Sequence, residues 1–163
     1  LAFCGEGSPN ALTELWNGSN WTEVADLNTG RQYLGGAGIS TSGLAIGGNP
    51  YPSASVTESW NGSAWTEITD LNAPRERMNA FGASNASAIA FGGSPPPSRS
   101  TATELWNGAS WTEVADLSQA TSLAGDTKGP ISSGAVFGGG APGALSNTEE
   151  WSSTSTTIKV LTD

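Results

Sequence analysis

The side chains in this 163-residue chain that could do chemistry are few, and their types exclude most catalysis. Histidine is absent, so neither a Ser/His/Asp nor a Cys/His relay can form, and imidazole-ligated zinc or copper sites have no ligands. Cys4 is the only cysteine, which rules out an internal disulfide and any Cys-x-x-Cys pair. Its place at the end of an apolar run suits a small niche filler better than a nucleophile.

Paired carboxylates remain, because glycoside cleavage needs two acids at a set separation. Most of the fifteen acids, however, recur at fixed places: Glu14, Glu58, Glu104 and Glu149; Glu23, Glu67 and Glu113; Asp26, Asp70 and Asp116. A residue present in every unit serves the unit, and no calcium-loop or phosphate-loop motif accompanies these acids. The expectation is a non-enzymatic chain with no cofactor and no metal. The alternative, a glycan-processing enzyme, would have to use non-repeated acids such as Glu6, Glu76 or Asp126.

The elements that position these residues are set by a repeat. Thr103 to Leu117 reads TELWNGASWTEVADL, Thr13 to Leu27 reads TELWNGSNWTEVADL, and Thr57 to Leu71 reads TESWNGSAWTEITDL. A degenerate copy, TEEWSSTSTTIKVL, starts at Thr148. The leading tryptophans Trp16, Trp60, Trp106 and Trp151 fall 44, 46 and 45 residues apart, a period of stacked supersecondary units.

Each unit reads as four short strands, since β-branched and aromatic runs alternate with glycine, proline, asparagine and serine; helix signals are absent. Between Gln32 and Leu71 the strands are expected near Tyr33–Ile39, Gly43–Gly48, Val56–Asn61 and Ala64–Leu71. Asn-Gly supplies the positive φ of a tight hairpin, and a four-residue connection would set Trp60 opposite Trp65. The same spacing pairs Trp16 with Trp21 and Trp106 with Trp111. The second strand is an apolar run ending in two glycines at Gly47-Gly48, Gly92-Gly93 and Gly138-Gly139. Leu1 to Gly5 is the same strand with Cys4 in place of the first glycine. Apolar on both faces, it is expected between layers.

A strand ending in Gly-Gly, then Trp60, Trp65 and Arg75 at these intervals, resembles the kelch repeat, with tryptophan where the family usually has tyrosine. The resemblance implies an all-β, kelch-type β-propeller of about four blades. Its blades would be a partial one at 1–27 and complete ones at 28–71, 72–117 and 118–163, within a single repeat domain. An arc of under four blades exposes apolar flanks, so upstream blades, self-association or an unusually small closed ring is expected. The last copy is worn, as capping repeats are, and Asp163 is expected as the natural end. Tandem T-E-x-W-N-G-x-x-W-T-E-V-x-D-L units also resemble predicted virion or tail-associated proteins of marine cyanobacterial phages. That resemblance implies a virion or extracellular location.

A net charge of −9 argues against nucleic acid as a partner, and no apolar run is long enough for membrane insertion. Seven tryptophans placed by period are expected in blade cores or between blades, not as sugar-stacking platforms. Three of the sequons at Asn17, Asn20, Asn61 and Asn85 are by-products of the W-N-G hairpin. Departures from the period are more telling. Loops between second and third strands, and those between blades, emerge on one face and gather four of the six basic residues with both tyrosines.

Arg31, Tyr33, Tyr51, Arg75, Arg77 and Arg99 are therefore the candidate ligand-binding residues of a loop face on a rigid support. Arg31 and Arg75 are repeat-equivalent, and an inter-blade structural role is equally open to them. The function this implies is a phage tail or virion surface module recognising a host cell-surface glycan or protein. The alternative is an architectural scaffold docking other virion or surface proteins.

Overall fold

The computed structural model describes residues 1–5, 11–50, 52–94, 98–141, 143–152 and 157–161. Strands β1 (Ala2–Phe3), β2 (Thr13–Trp16) and β3 (Trp21–Glu23) form a three-stranded antiparallel sheet. The second sheet runs β4 (Gly35–Ile39), β5 (Ser42–Ile46), β6 (Thr57–Trp60) and β7 (Trp65–Ile68). The third runs β8 (Asn79–Ser84), β9 (Ser87–Phe91), β10 (Thr103–Trp106) and β11 (Trp111–Glu113). In the fourth, β12 (Gly125–Asp126) and β13 (Ser133–Phe137) join β16 (Thr148–Ser152) and β17 (Thr157–Leu161). A short ribbon, β14 (Gly140–Ala141) with β15 (Gly143–Ala144), lies between them in sequence. The chain is thus an all-β protein of small antiparallel sheets, and one 3-10 turn at Ser53–Ser55 is the helical structure among the described residues.

Three hairpins take the expected register, with Trp16 opposite Trp21, Trp60 opposite Trp65 and Trp106 opposite Trp111. The indole centroids lie 5.3–5.5 Å apart in tilted contact. Each turn is fixed by its asparagine, whose side-chain oxygen accepts two backbone N–H bonds; Asn61 takes those of Ser63 and Ala64 at 2.9 Å. The following glycine, Gly62, holds φ +97, which a side chain would strain.

Two expectations need trimming. Tyr33 does not open a strand but sits in a left-handed turn before β4, and the paired glycines fall just past the second strand. Gly47 has φ +62, and a Cβ there would run into Met78 and lie 2.6 Å from the Arg75 carbonyl oxygen. Cys4 takes the same conformation, φ +61, at the position glycine holds in the later sheets.

Packing between sheets is repetitive: the tryptophan pairs of the second and third sheets, and the single Trp151 of the fourth, bury against the sheet before them. Trp60 and Trp65 cluster with Leu27, Ala45 and the first sheet's Phe3, whose ring meets Trp65 edge-on at 5.1 Å. Trp106 and Trp111 pack on Leu44, Ile46 and Leu71, and Trp151 packs with Phe81, Ile89 and Phe91. Within each of these three sheets the leading indole N–H donates to a carbonyl in the connection between the first two strands: Trp60 to Ser40, Trp106 to Asn85 and Trp151 to Ile131, at 2.8–2.9 Å. Trp16 and Trp21 depart from the expected burial. They are 46% and 51% exposed, because among the described residues nothing lies on their flank.

Candidate functional site

The connections into the second, third and fourth sheets are built alike, and each places one non-glycine residue in the left-handed region: Tyr33 at φ +57, Arg77 at +54 and Leu123 at +55. Such backbone is costly for an ordinary side chain, of order 1–3 kcal/mol, and persists where its surroundings fix it. Here the three positions fix one another. The Arg77 N–H donates to the Tyr33 carbonyl at 2.7 Å, and the Leu123 N–H donates to the Arg77 carbonyl at 3.0 Å.

The side chains on this row differ, and two of them meet. The Arg77 guanidinium carbon lies 4.7 Å from the centroid of the Tyr33 ring, a cation–π contact. The preceding residue, Glu76, is buried and accepts from the Asn49 side-chain amide at 2.6 Å. Its other oxygen faces Arg77 Nε at 3.8 Å. Arg99 is exposed and joins the row at its far end, where its Nε donates to Ser122 Oγ at 3.0 Å. Loops after the second strand therefore reach the connections between sheets, as the bridges Gln32–Asn49 and Glu76–Ser94 also record.

Of the residues expected on this face, the structure brings Tyr33, Arg77 and Arg99 to it. Tyr51 lies outside the described residues. Arg31 and Arg75 stand elsewhere: both are buried in the seams, so they are not available to a surface ligand. Arg31 donates to Glu58 Oε1 at 3.0 Å and to the carbonyls of Gly47 and Val56 at 2.6 Å. Arg75 repeats the arrangement with Glu104 at 2.7 Å and with the Gly92 and Ala102 carbonyls. Burial pulls the Arg75 guanidinium below its ordinary value, and the Glu104 charge opposes that pull. A guanidinium with this many fixed acceptors serves structure.

Sequence reading passed over Leu123 and Asn49. Leu123 is 66% exposed and could have been found by register, since it occupies the position of Tyr33 and Arg77 in the next unit. Asn49 carries no comparable signal. Of the recurring acids, three are committed to the seams: Glu58 and Glu104 to arginine, and Glu149 to the Ser118 amide and hydroxyl at 2.9 Å. The Asp126 side chain is covered beside Lys128 at 2.8 Å and accepts from Asn79, while Glu6 lies outside the described residues.

Fold and site together define a class: stacked antiparallel sheets carrying a row of dissimilar side chains across their junctions. No family model matches the sequence, and no curated protein does. Among solved structures, that of YjhT aligns with a TM-score of 0.71 at 16% identity, over 87% of this chain and 49% of that one. The likeness is one of fold, and the chain spans about half of that structure's length.

Proposed function

We propose that the chain is a segment of a kelch-like propeller acting as a non-enzymatic binding module, in a phage tail or virion surface, that engages a host cell-surface glycan or protein. Its ligand face is the row Tyr33, Arg77 and Leu123 with Arg99 beside it. The observation that supports this most is the Tyr33–Arg77 stack on strained, mutually hydrogen-bonded backbone. It offers an aromatic plane, a cation and an apolar tip in fixed positions, while the repeated parts of each unit are spent on packing. Rigid placement of that kind reduces the ordering cost of binding. The resemblance to phage repeat proteins supports the setting, and multivalent display would raise the avidity of a modest single site.

A glycan array and a panel of host-surface proteins test the reading. Binding that is lost in Arg77→Ala and Arg99→Ala, with the fold intact by circular dichroism, supports it. A blank on both probes removes it. The half-exposed Trp16 and Trp21 favour a second reading, an architectural scaffold for other virion or surface proteins. A stable protein complex beside a blank array would favour that one.

A further inference from the structure

We propose that the seam between the third and fourth sheets binds a monovalent metal cation, sodium or potassium, where an arginine stands at the two seams before it. At those two, one guanidinium gathers the same three oxygens. Arg31 Nη1 donates to the Gly47 and Val56 carbonyls at 2.6 Å each, and its Nη2 reaches Glu58 Oε1 at 3.0 Å. Arg75 does the same with the Gly92 and Ala102 carbonyls and Glu104 Oε1, at 3.0, 2.6 and 2.7 Å.

The third seam keeps the oxygens without the guanidinium. Gly138, Asn147 and Glu149 occupy the repeat positions of Gly92, Ala102 and Glu104, and the backbone holds them in the same frame. The Gly138 N–H donates to the Asn147 carbonyl at 3.0 Å, as Gly92 does to Ala102. The Ser118 N–H donates to Glu149 Oε2 at 2.9 Å, as Asn72 does to Glu104. Thr121 stands at the arginine position: its carbonyl accepts from the Gly93 N–H at 2.8 Å, as that of Arg75 accepts from Gly48 at 2.9 Å. Glu149 is 3% exposed, and among the described residues no cationic side chain pairs with it.

Neutral groups surround that carboxylate instead. Ser118 Oγ donates to Glu149 Oε1 at 2.9 Å, the Asn147 side-chain amide donates to it at 3.3 Å, and Thr121 Oγ1 lies 3.4 Å from the Gly138 carbonyl oxygen. Asn147 Oδ1 is buried, and among the described residues no donor meets it. Two carbonyls, a carboxylate, an amide oxygen and two hydroxyls make a set of hard oxygen donors, which suits alkali ions and not soft metals. One carboxylate calls for one positive charge, and a buried charge is ordinarily paired or bound to metal. Thr121 and Asn147 turn toward the same acceptors, so a spherical ion fits where a planar guanidinium would not. Ser118, exposed at the rim, opens the way in from solvent. This site is independent of the ligand face proposed above.

Thermal melts of the whole chain in sodium, potassium and choline chloride at equal ionic strength test the proposal. A midpoint higher by about 3 °C or more in sodium or potassium than in choline is expected. Thr121→Arg supplies the charge from within; it should erase the difference and raise the midpoint in choline. Glu149→Gln should erase the difference without that rise, and Glu150→Gln, at an exposed acid of the fourth sheet, should leave it in place. Sodium NMR reads binding without unfolding: the chain should broaden the sodium line, added potassium should narrow it again, and Glu149→Gln should not broaden it. Equal midpoints in the three salts overturn the proposal. So does a difference that survives Thr121→Arg or Glu149→Gln, or a rise that calcium produces and neither alkali ion does.

Discussion

Arg31 and Glu58 meet at 3.0 Å with both side chains wholly buried, across the seam joining the first and second sheets. The arginine enters from the connection after the first sheet, and the acid sits on β6. Two sheets are thereby fastened by one bond whose ends are far apart in sequence. Arg75 and Glu104 fasten the next pair, at 2.7 Å.

Removing one end of such a pair leaves a buried charge with no counterpart. Arg31→Met should lower stability by about 3–5 kcal/mol. Replacing both Arg31 and Glu58 with apolar residues should cost less than the two single changes together. Urea midpoints of the two single variants and the double variant check this.

Tryptophans at the same position of the repeat should differ according to burial. Trp60→Ala, at a fully buried site, should cost about 3–5 kcal/mol, whereas Trp16→Ala should cost well under half of that. Parallel denaturation of the two variants measures the gap. Equal losses would mean that the first sheet's flank is covered in solution.

Left-handed backbone at an exposed leucine is a cost without a packing return. Leu123→Gly should raise stability by about 1 kcal/mol, and Leu123→Val should lower it, because a branched Cβ tolerates φ +55 still less. If Leu123 serves the ligand face, the glycine variant gains stability while losing affinity. Thermal melts and ligand titration together separate the two effects.

Burial pushes the Cys4 thiol above its ordinary value of 9.0, against a smaller opposing pull from Arg31. The folded chain keeps this proton at a pH where the unfolded chain releases it. The associated stability is therefore complete below about pH 9 and declines as pH climbs through the folded thiol's higher value. Iodoacetamide should label Cys4 more slowly than a free thiol at pH 8, and faster once urea unfolds the chain; mass spectrometry follows both.

Much of this was legible before any coordinates. The W-N-G-x-x-W spacing defined the hairpins because turn chemistry and cross-strand pairing both act locally, and Trp60 opposite Trp65 is the direct result. The strand-ending glycines were legible for a similar reason, though their role is to turn the chain past the strand. The fate of Arg31 and Arg75 was harder to read. Their partners Glu58 and Glu104 lie 27 and 29 residues away, and a charged residue in a turn-like stretch looks the same whether it faces water or a seam. The Tyr33–Arg77 contact was equally hidden, since it depends on how neighbouring units sit side by side and not on either unit alone.

The uneven placing of the arginine clasps has a dynamic result. They occur at the first two seams, while Thr121 takes the arginine's place before the fourth sheet and, among the described residues, Glu149 holds serine and asparagine partners alone. The assembly should therefore loosen first at its fourth sheet. In deuterated water the amides of β6 and β9 would be the last to trade their protons, and those of β16 among the first.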